Sequence, residues 1–172
     1  MFIYNGNRSI TEFAIPEGYT IIGANSFQNC KNLSKIILPE GITTIEKEAF
    51  RDCVNLLEMN FPFTLINVGD YAFACCFPLN ITSNNAKLII IGEYAFYNCI
   101  NIETLTLSED IEIIRNFTFT YCHKLKSINL GDNITSIGIS AFGHCEELEE
   151  IYIPDSVEEI KDWALRGCKR IR

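Results

Sequence analysis

The sequence predicts a repeat solenoid, mainly β with short helical turns, in which a parallel sheet covers one concave face and short strands and turns cover the other. Two observations carry this expectation. Cysteine recurs at Cys30, Cys53, Cys76, Cys99, Cys122, Cys145 and Cys168, with every step 23 residues long. Phenylalanine keeps the same step at Phe27, Phe50, Phe73, Phe96, Phe119 and Phe142, and Leu165 takes the seventh place. A fixed period of this length marks stacked units, none of which can bury its apolar face alone. Residues 1–172 therefore read as one solenoid of about seven coils, roughly 8–30, 31–53, 54–76, 77–99, 100–122, 123–145 and 146–168. The ends are incomplete units: Tyr4 stands at the Phe position, Asn7 at the Cys position, and Ile171 opens a further strand.

Aligned on the cysteine, the unit is C-x-x-L-x-x-I-x-L-P-x-x-I-x-x-I-G-x-x-A-F-x-x-C. Leu33, Ile36 and Leu38 form its first apolar set, and the Ile36 to Leu38 alternation is that of a strand with Ile37 pointing outward. Pro16, Pro39, Pro62 and Pro154 then close the strand, because proline has no N–H for a continuing ladder. A second apolar pair follows, as in Ile42 and Ile45. Gly23, Gly69, Gly92 and Gly138 come next, where a tight bend or a positive φ favours glycine. The Ala-Phe pair is expected to begin a helical turn, too short to stand as an isolated helix. The fourth coil departs from the pattern: Thr82 and Asn84 occupy core strand positions and Asn85 replaces the proline, so either Ile81 rotates inward or the sheet has a weak rung.

The L-x-x-I-x-L strand, the P-x-x-I-x-x-I-G segment and the A-F-x-x-C ending resemble the BspA-like leucine-rich repeat family from Ile10 to Ile171. The resemblance implies a leucine-rich-repeat parallel sheet. It also implies a surface or secreted protein of the kind linked with adhesion to host matrix proteins or to other microbes.

Composition narrows the function classes. With 48% hydrophobic residues the chain can bury a core. A net charge of -8 and the lack of a basic stripe argue against nucleic acid or an anionic membrane as partner. No apolar run is long enough to span a membrane and no basic leader opens the chain, so no membrane insertion is expected. The compartment is expected to be the cell surface or outside if an export signal is missing from this chain, and the cytoplasm otherwise. Sequons at Asn7, Asn32, Asn80, Asn116 and Asn133 are weak support for export.

No catalytic constellation, cofactor fingerprint or metal spacing appears, so an enzyme is not expected. His123 and His144 flank Cys122 and Cys145, but those cysteines belong to the repeat's own column. The cysteines are read as small buried hydrophobes, since parallel neighbours in a ladder suit disulfide torsions poorly. Cys75 is the exception, an exposed thiol at a variable position. The acidic end around Glu146, Glu149 and Asp155 is read as a solvated face.

The outward sheet positions are the expected partner-binding surface, for a protein such as a host matrix or cell-surface protein, or for a glycan. Tyr152 leads as anchor, with Ile37, Leu57, Ile81, Asn60, Thr104, Thr106, Asn129, Lys126 and Glu150 around it. The chain is expected to be a monomer or an end-to-end dimer. An intracellular interaction scaffold is the alternative to adhesion.

Overall fold

The computed structural model describes residues 1–84 and 86–171, with the side chains of residues 82–84 outside the description. Fourteen short strands run in pairs, two to a coil: β1 (Glu12–Ala14) and β2 (Ile21–Ile22); β3 (Lys35–Ile37) and β4 (Thr44–Ile45); β5 (Glu58–Phe61) and β6 (Asn67–Val68); β7 (Asn80–Asn84) and β8 (Ile90–Ile91); β9 (Thr104–Thr106) and β10 (Ile113–Ile114); β11 (Ser127–Asn129) and β12 (Ser136–Ile137); β13 (Glu150–Ile151) and β14 (Glu159–Ile160). First strands pair in parallel with first strands, and second with second, at the 23-residue register, as in Phe13 with Ile36 and Ile22 with Ile45. This is a parallel β-solenoid.

A third ladder corrects the expected helical turn. The Ala-Phe segment forms no helix. Its alternate amides donate across to the next coil, as Phe27 N to Ala49 O (2.7 Å), Asn29 N to Arg51 O (2.9 Å) and Phe50 N to Ala72 O (2.8 Å). The amides between them close local turns, as Cys30 N to Phe27 O (3.0 Å). Two residues per coil adopt positive φ to permit this, Asn25 and Asn29 in the first coil, Glu48 and Asp52 in the second. Each coil thus has three hydrogen-bonded sides. Gly69 and Gly92, by contrast, do not have positive φ. They are needed because the preceding coil's backbone would stand 2.6 and 2.3 Å from an added Cβ.

The interior is a set of parallel columns. Phe27, Phe50, Phe73, Phe96, Phe119 and Phe142 are all fully buried, with successive ring centroids 5.1, 5.3, 5.4, 5.5 and 5.4 Å apart and ring planes nearly parallel. Beside them, each thiol donates to the Phe carbonyl of the preceding coil: Cys53 to Phe27 (3.0 Å), Cys76 to Phe50 (3.1 Å), Cys99 to Phe73 (3.1 Å), Cys122 to Phe96 (3.2 Å), Cys145 to Phe119 (3.2 Å) and Cys168 to Phe142 (3.1 Å). The repeated cysteine is therefore both a small apolar filler and a weak donor that occupies the second lone pair of a buried carbonyl. All eight cysteines are free thiols.

The fourth coil is irregular. Ile81 pairs with buried Met59 and packs against the core, after which the register shifts and Ser83 pairs with Asn60. Ile81 has rotated inward, with Thr82 as the extra residue of a bulge. The expectations for the Thr82 and Asn84 side chains and for Asn85 lie outside the described residues. Among the described residues both strand ladders are interrupted here, between β7 and β9 and between β8 and β10. The two halves stay joined by the turn ladder, with Tyr94 N to Asn116 O (3.2 Å), Phe96 N to Thr118 O (3.0 Å) and Asn98 N to Thr120 O (2.8 Å), and by a Leu88 to Leu107 bridge.

The N-terminal edge of the first coil is covered. Tyr4 stacks on Phe27 (4.9 Å, 14°), Phe2 bridges Ile22, and Arg8 donates to the carbonyls of Ser26 (2.8 Å) and Gln28 (2.9 Å).

Candidate functional site: the sheet face

The alternation of β3, β5, β9 and β11 buries Ile36, Met59, Leu105 and Ile128 and leaves their neighbours half-buried or exposed, while Phe13 of β1 is half-buried. Tyr152 is 65% exposed just beyond β13, and Ile37 and Leu57 are 49% and 46% exposed. Thr104 and Thr106 flank buried Leu105 on β9, and Lys126, Asn129 and Glu150 are exposed.

Two of the expected residues are otherwise engaged. Asn60 is half-buried and grips the backbone of Leu38, accepting from its N–H and donating to its carbonyl, both at 2.8 Å. It extends the sheet ladder one residue beyond the strand. Ile81 is half-buried through its inward rotation and is not an outward anchor in line with Glu58. It still borders a hollow of about 470 Å³ shared with Leu57, Pro78, Asn80, Glu103, Thr104 and Lys124. Tyr152 lies outside that hollow.

The face's charges pair between coils. Lys35 meets Glu58 at 3.0 Å and Lys126 meets Glu103 at 2.7 Å. The hydrogen bond from Lys126 holds the Glu103 carboxyl below its usual range, and the bonds to Glu58 and Glu103 raise Lys35 and Lys126. The rest of the face carries hydroxyls, amides, the Glu150 carboxylate and scattered apolar side chains, which suits a contact surface.

The thiols are chemically quiet. Burial pushes Cys122 up to about 12 and raises Cys76, Cys99 and Cys145 well above their ordinary value. Cys75, expected to be exposed, is half-buried at a positive-φ position (63°), and its thiol is raised first by burial and then by the charge of Asp52. Cys122 spends its proton on the Phe96 carbonyl, so His123 has no thiolate to pair with. Among the described residues no group of three or more His, Cys, Asp or Glu is placed to hold a metal ion, and no helix is long and apolar enough to cross a membrane.

Sequence reasoning missed a second surface, on the turn side. Tyr71, Tyr94 and Phe117 share the first positive-φ position of their coils and stack at 4.6 Å per step. Their common register was visible in the repeat alignment.

The fold and this face define the class: a leucine-rich repeat solenoid, of a kind that generally serves protein interaction and is typically non-enzymatic. The chain belongs to the BspA type leucine rich repeat region family, whose model matches residues 1–85 and 43–172 with six copies. No curated protein matches it. Among solved structures, a leucine-rich repeat protein from Eubacterium ventriosum is 28% identical with a TM-score of 0.77, over 95% of this chain and 47% of that one. The T. pallidum leucine rich repeat protein is 25% identical with a TM-score of 0.72, over 87% of this chain and 74% of that one. A Bacteroides ovatus leucine-rich repeat protein shares the fold at 24% identity and a TM-score of 0.63, over 89% of this chain and 45% of that one. The chain thus spans less than half the length of the first and third of these proteins.

Proposed function

We propose that this chain is a non-enzymatic recognition module that presents its sheet face to a protein or glycan in cell-surface adhesion. One observation carries the reading: exposed apolar side chains, Ile37 and Leu57 on one sheet and Tyr152 beside the other, stand among polar groups such as Thr104 and Thr106 on strands held in parallel ladders within each half of the solenoid. A rigid surface loses little conformational entropy on binding, and large exposed anchors supply most interface energy. The test is immobilised matrix proteins and host-cell glycans probed with the recombinant chain, its Tyr152→Ala form and its Leu57→Ala form. Binding weakened tenfold or more by either substitution is expected; a chain that binds nothing, or variants that bind as well as the parent, would overturn it.

A second reading, an intracellular interaction scaffold dimerising through its end coils, draws on the free thiols and on half-buried Ile153, Val157 and Leu165 in the last coil. Protease applied to intact source cells separates the two, since only a surface protein is removed. Light scattering over a dilution series tests the dimer.

A further inference from the structure

The turn side carries a ring column with a break in it. Arg51 covers Tyr71 (5.4 Å), Tyr71 stacks on Tyr94 and Tyr94 on Phe117, so each face along this run is occupied up to Phe117. The next coil puts Ser140 in the same positive-φ position, and the coil after it returns to an aromatic, Trp163, 61% exposed, with Arg166 against its ring (5.8 Å). Phe117 and Trp163 line one cavity of about 330 Å³ over Ser140, at the small end of ligand pockets.

We propose that this break in the column, between Phe117 and Trp163 over Ser140, binds a neutral sugar ring of an oligosaccharide. The site goes beyond the sheet-face reading, and lies on a different side of the coil.

Spacing and the polar lining together select the occupant. Two coils at about 4.8 Å per rung set the two aromatic positions roughly 9–10 Å apart. Carbon contact at about 3.5–4.0 Å on each wall leaves about 2 Å for the occupant's own thickness. A flat aromatic ring fits this spacing, as Tyr94 does between Tyr71 and Phe117, but brings no hydroxyls to a polar edge; a puckered pyranose, with C–H groups on both faces, fills the space and does. Sugar hydroxyls radiate from the ring's edge, and the cavity's lining includes residues with polar groups to meet them: Tyr94, Tyr97, Tyr121, His144 and Arg166. Burial raises Tyr94 and Tyr97, which keeps them hydroxyl donors. A proline ring would leave these groups without partners, and a quaternary ammonium would face the Arg166 guanidinium. The pocket is preformed, because the Thr120 hydroxyl donates to the Ser140 carbonyl and His144 stacks on Tyr121 (5.0 Å).

The only tryptophan of the chain sits in this site, so its fluorescence reports occupancy directly. The full chain is titrated with trisaccharides of glucose, galactose, mannose and N-acetylglucosamine, and with a decaproline peptide. At least one sugar is expected to give a saturable change in Trp163 emission. Ser140→Phe, which continues the ring column at a position where Phe117 already tolerates φ 57°, is expected to weaken binding at least tenfold while Tyr152→Ala leaves it unchanged. If Ser140→Phe lowers the melting temperature sharply, Trp163→Ala read by saturation-transfer NMR of the sugar takes its place, with the same loss expected. No response to any sugar, equal binding by the substituted chains, or a response to decaproline alone would each overturn the proposal. Loss caused by Tyr152→Ala would assign the sugar to the sheet face instead.

Discussion

The cysteine column makes stability fall at alkaline pH, and the size of the fall can be worked out. In the fold Cys122 is raised from 9.0 to about 12 by burial, whereas in the unfolded chain it returns to its ordinary value. A raised folded value means that the native state holds the proton more tightly. Its contribution is complete below about pH 9 and is lost as pH rises toward 12. At about pH 10.5 the unfolded thiol is almost fully ionised and the folded one almost fully protonated, a difference of about 2 kcal/mol; above pH 12 it reaches about 4 kcal/mol. Cys76, Cys99 and Cys145 are raised with the same sign. The Cys122 contribution alone approaches the low end of the roughly 5–15 kcal/mol net stability of an ordinary domain, and the other three add to it in the same direction. Urea unfolding followed by circular dichroism should show a markedly lower midpoint at pH 10.5 than at pH 8. Cys122→Ala should start less stable and lose about 2 kcal/mol less over that interval. Equal midpoints at the two pH values would refute the reasoning. So would a Cys122→Ala chain with the parent's full pH dependence, because the loss would then belong to other groups such as the Tyr94 and Tyr97 phenols.

Three other outcomes follow from the columns. Phe96, fully buried between Phe73 and Phe119, should cost about 3–5 kcal/mol as Phe96→Ala and less as Phe96→Leu, while Phe96→Asp should leave the adjacent coils unfolded by burying an unpaired charge, all read by urea titration. Arg8→Ala strips a charged donor from two carbonyls, so first-coil amides such as Phe27 N should exchange faster while those of the fifth and sixth coils keep their protection. Deleting residues 31–53 should leave a shorter, less stable but cooperatively folded chain, measured by thermal melting.

Much of the architecture was legible because the period is strict. The 23-residue step fixed which side chains stack on which, and Ile36, Phe50 and Cys53 needed no tertiary information to be placed inside. The candidate surface was less legible. Asn60 reads as an outward polar residue, yet its amide is spent on the Leu38 backbone, a contact between coils that residue type alone does not reveal. Ile81 reads as outward if the register is uniform, and only the bulge in β7 turns it toward Met59. The variable column of Asn29, Asp52, Cys75, Asn98, Tyr121 and His144 looked merely polar, but every member has positive φ, which explains its tolerance of Asn, Asp and His.

By itself, then, the sequence determined the coil, its length, its buried columns and its family, because periodic burial is written into residue spacing. The tertiary structure decided what depends on one coil meeting another: the third ladder in place of a helical turn, the thiol bonds to Phe carbonyls, the cover of Arg8 over the first coil, and the ring column broken at Ser140. Backbone dihedrals and hydrogen bonds between coils are set by stacking, and no single unit carries them alone.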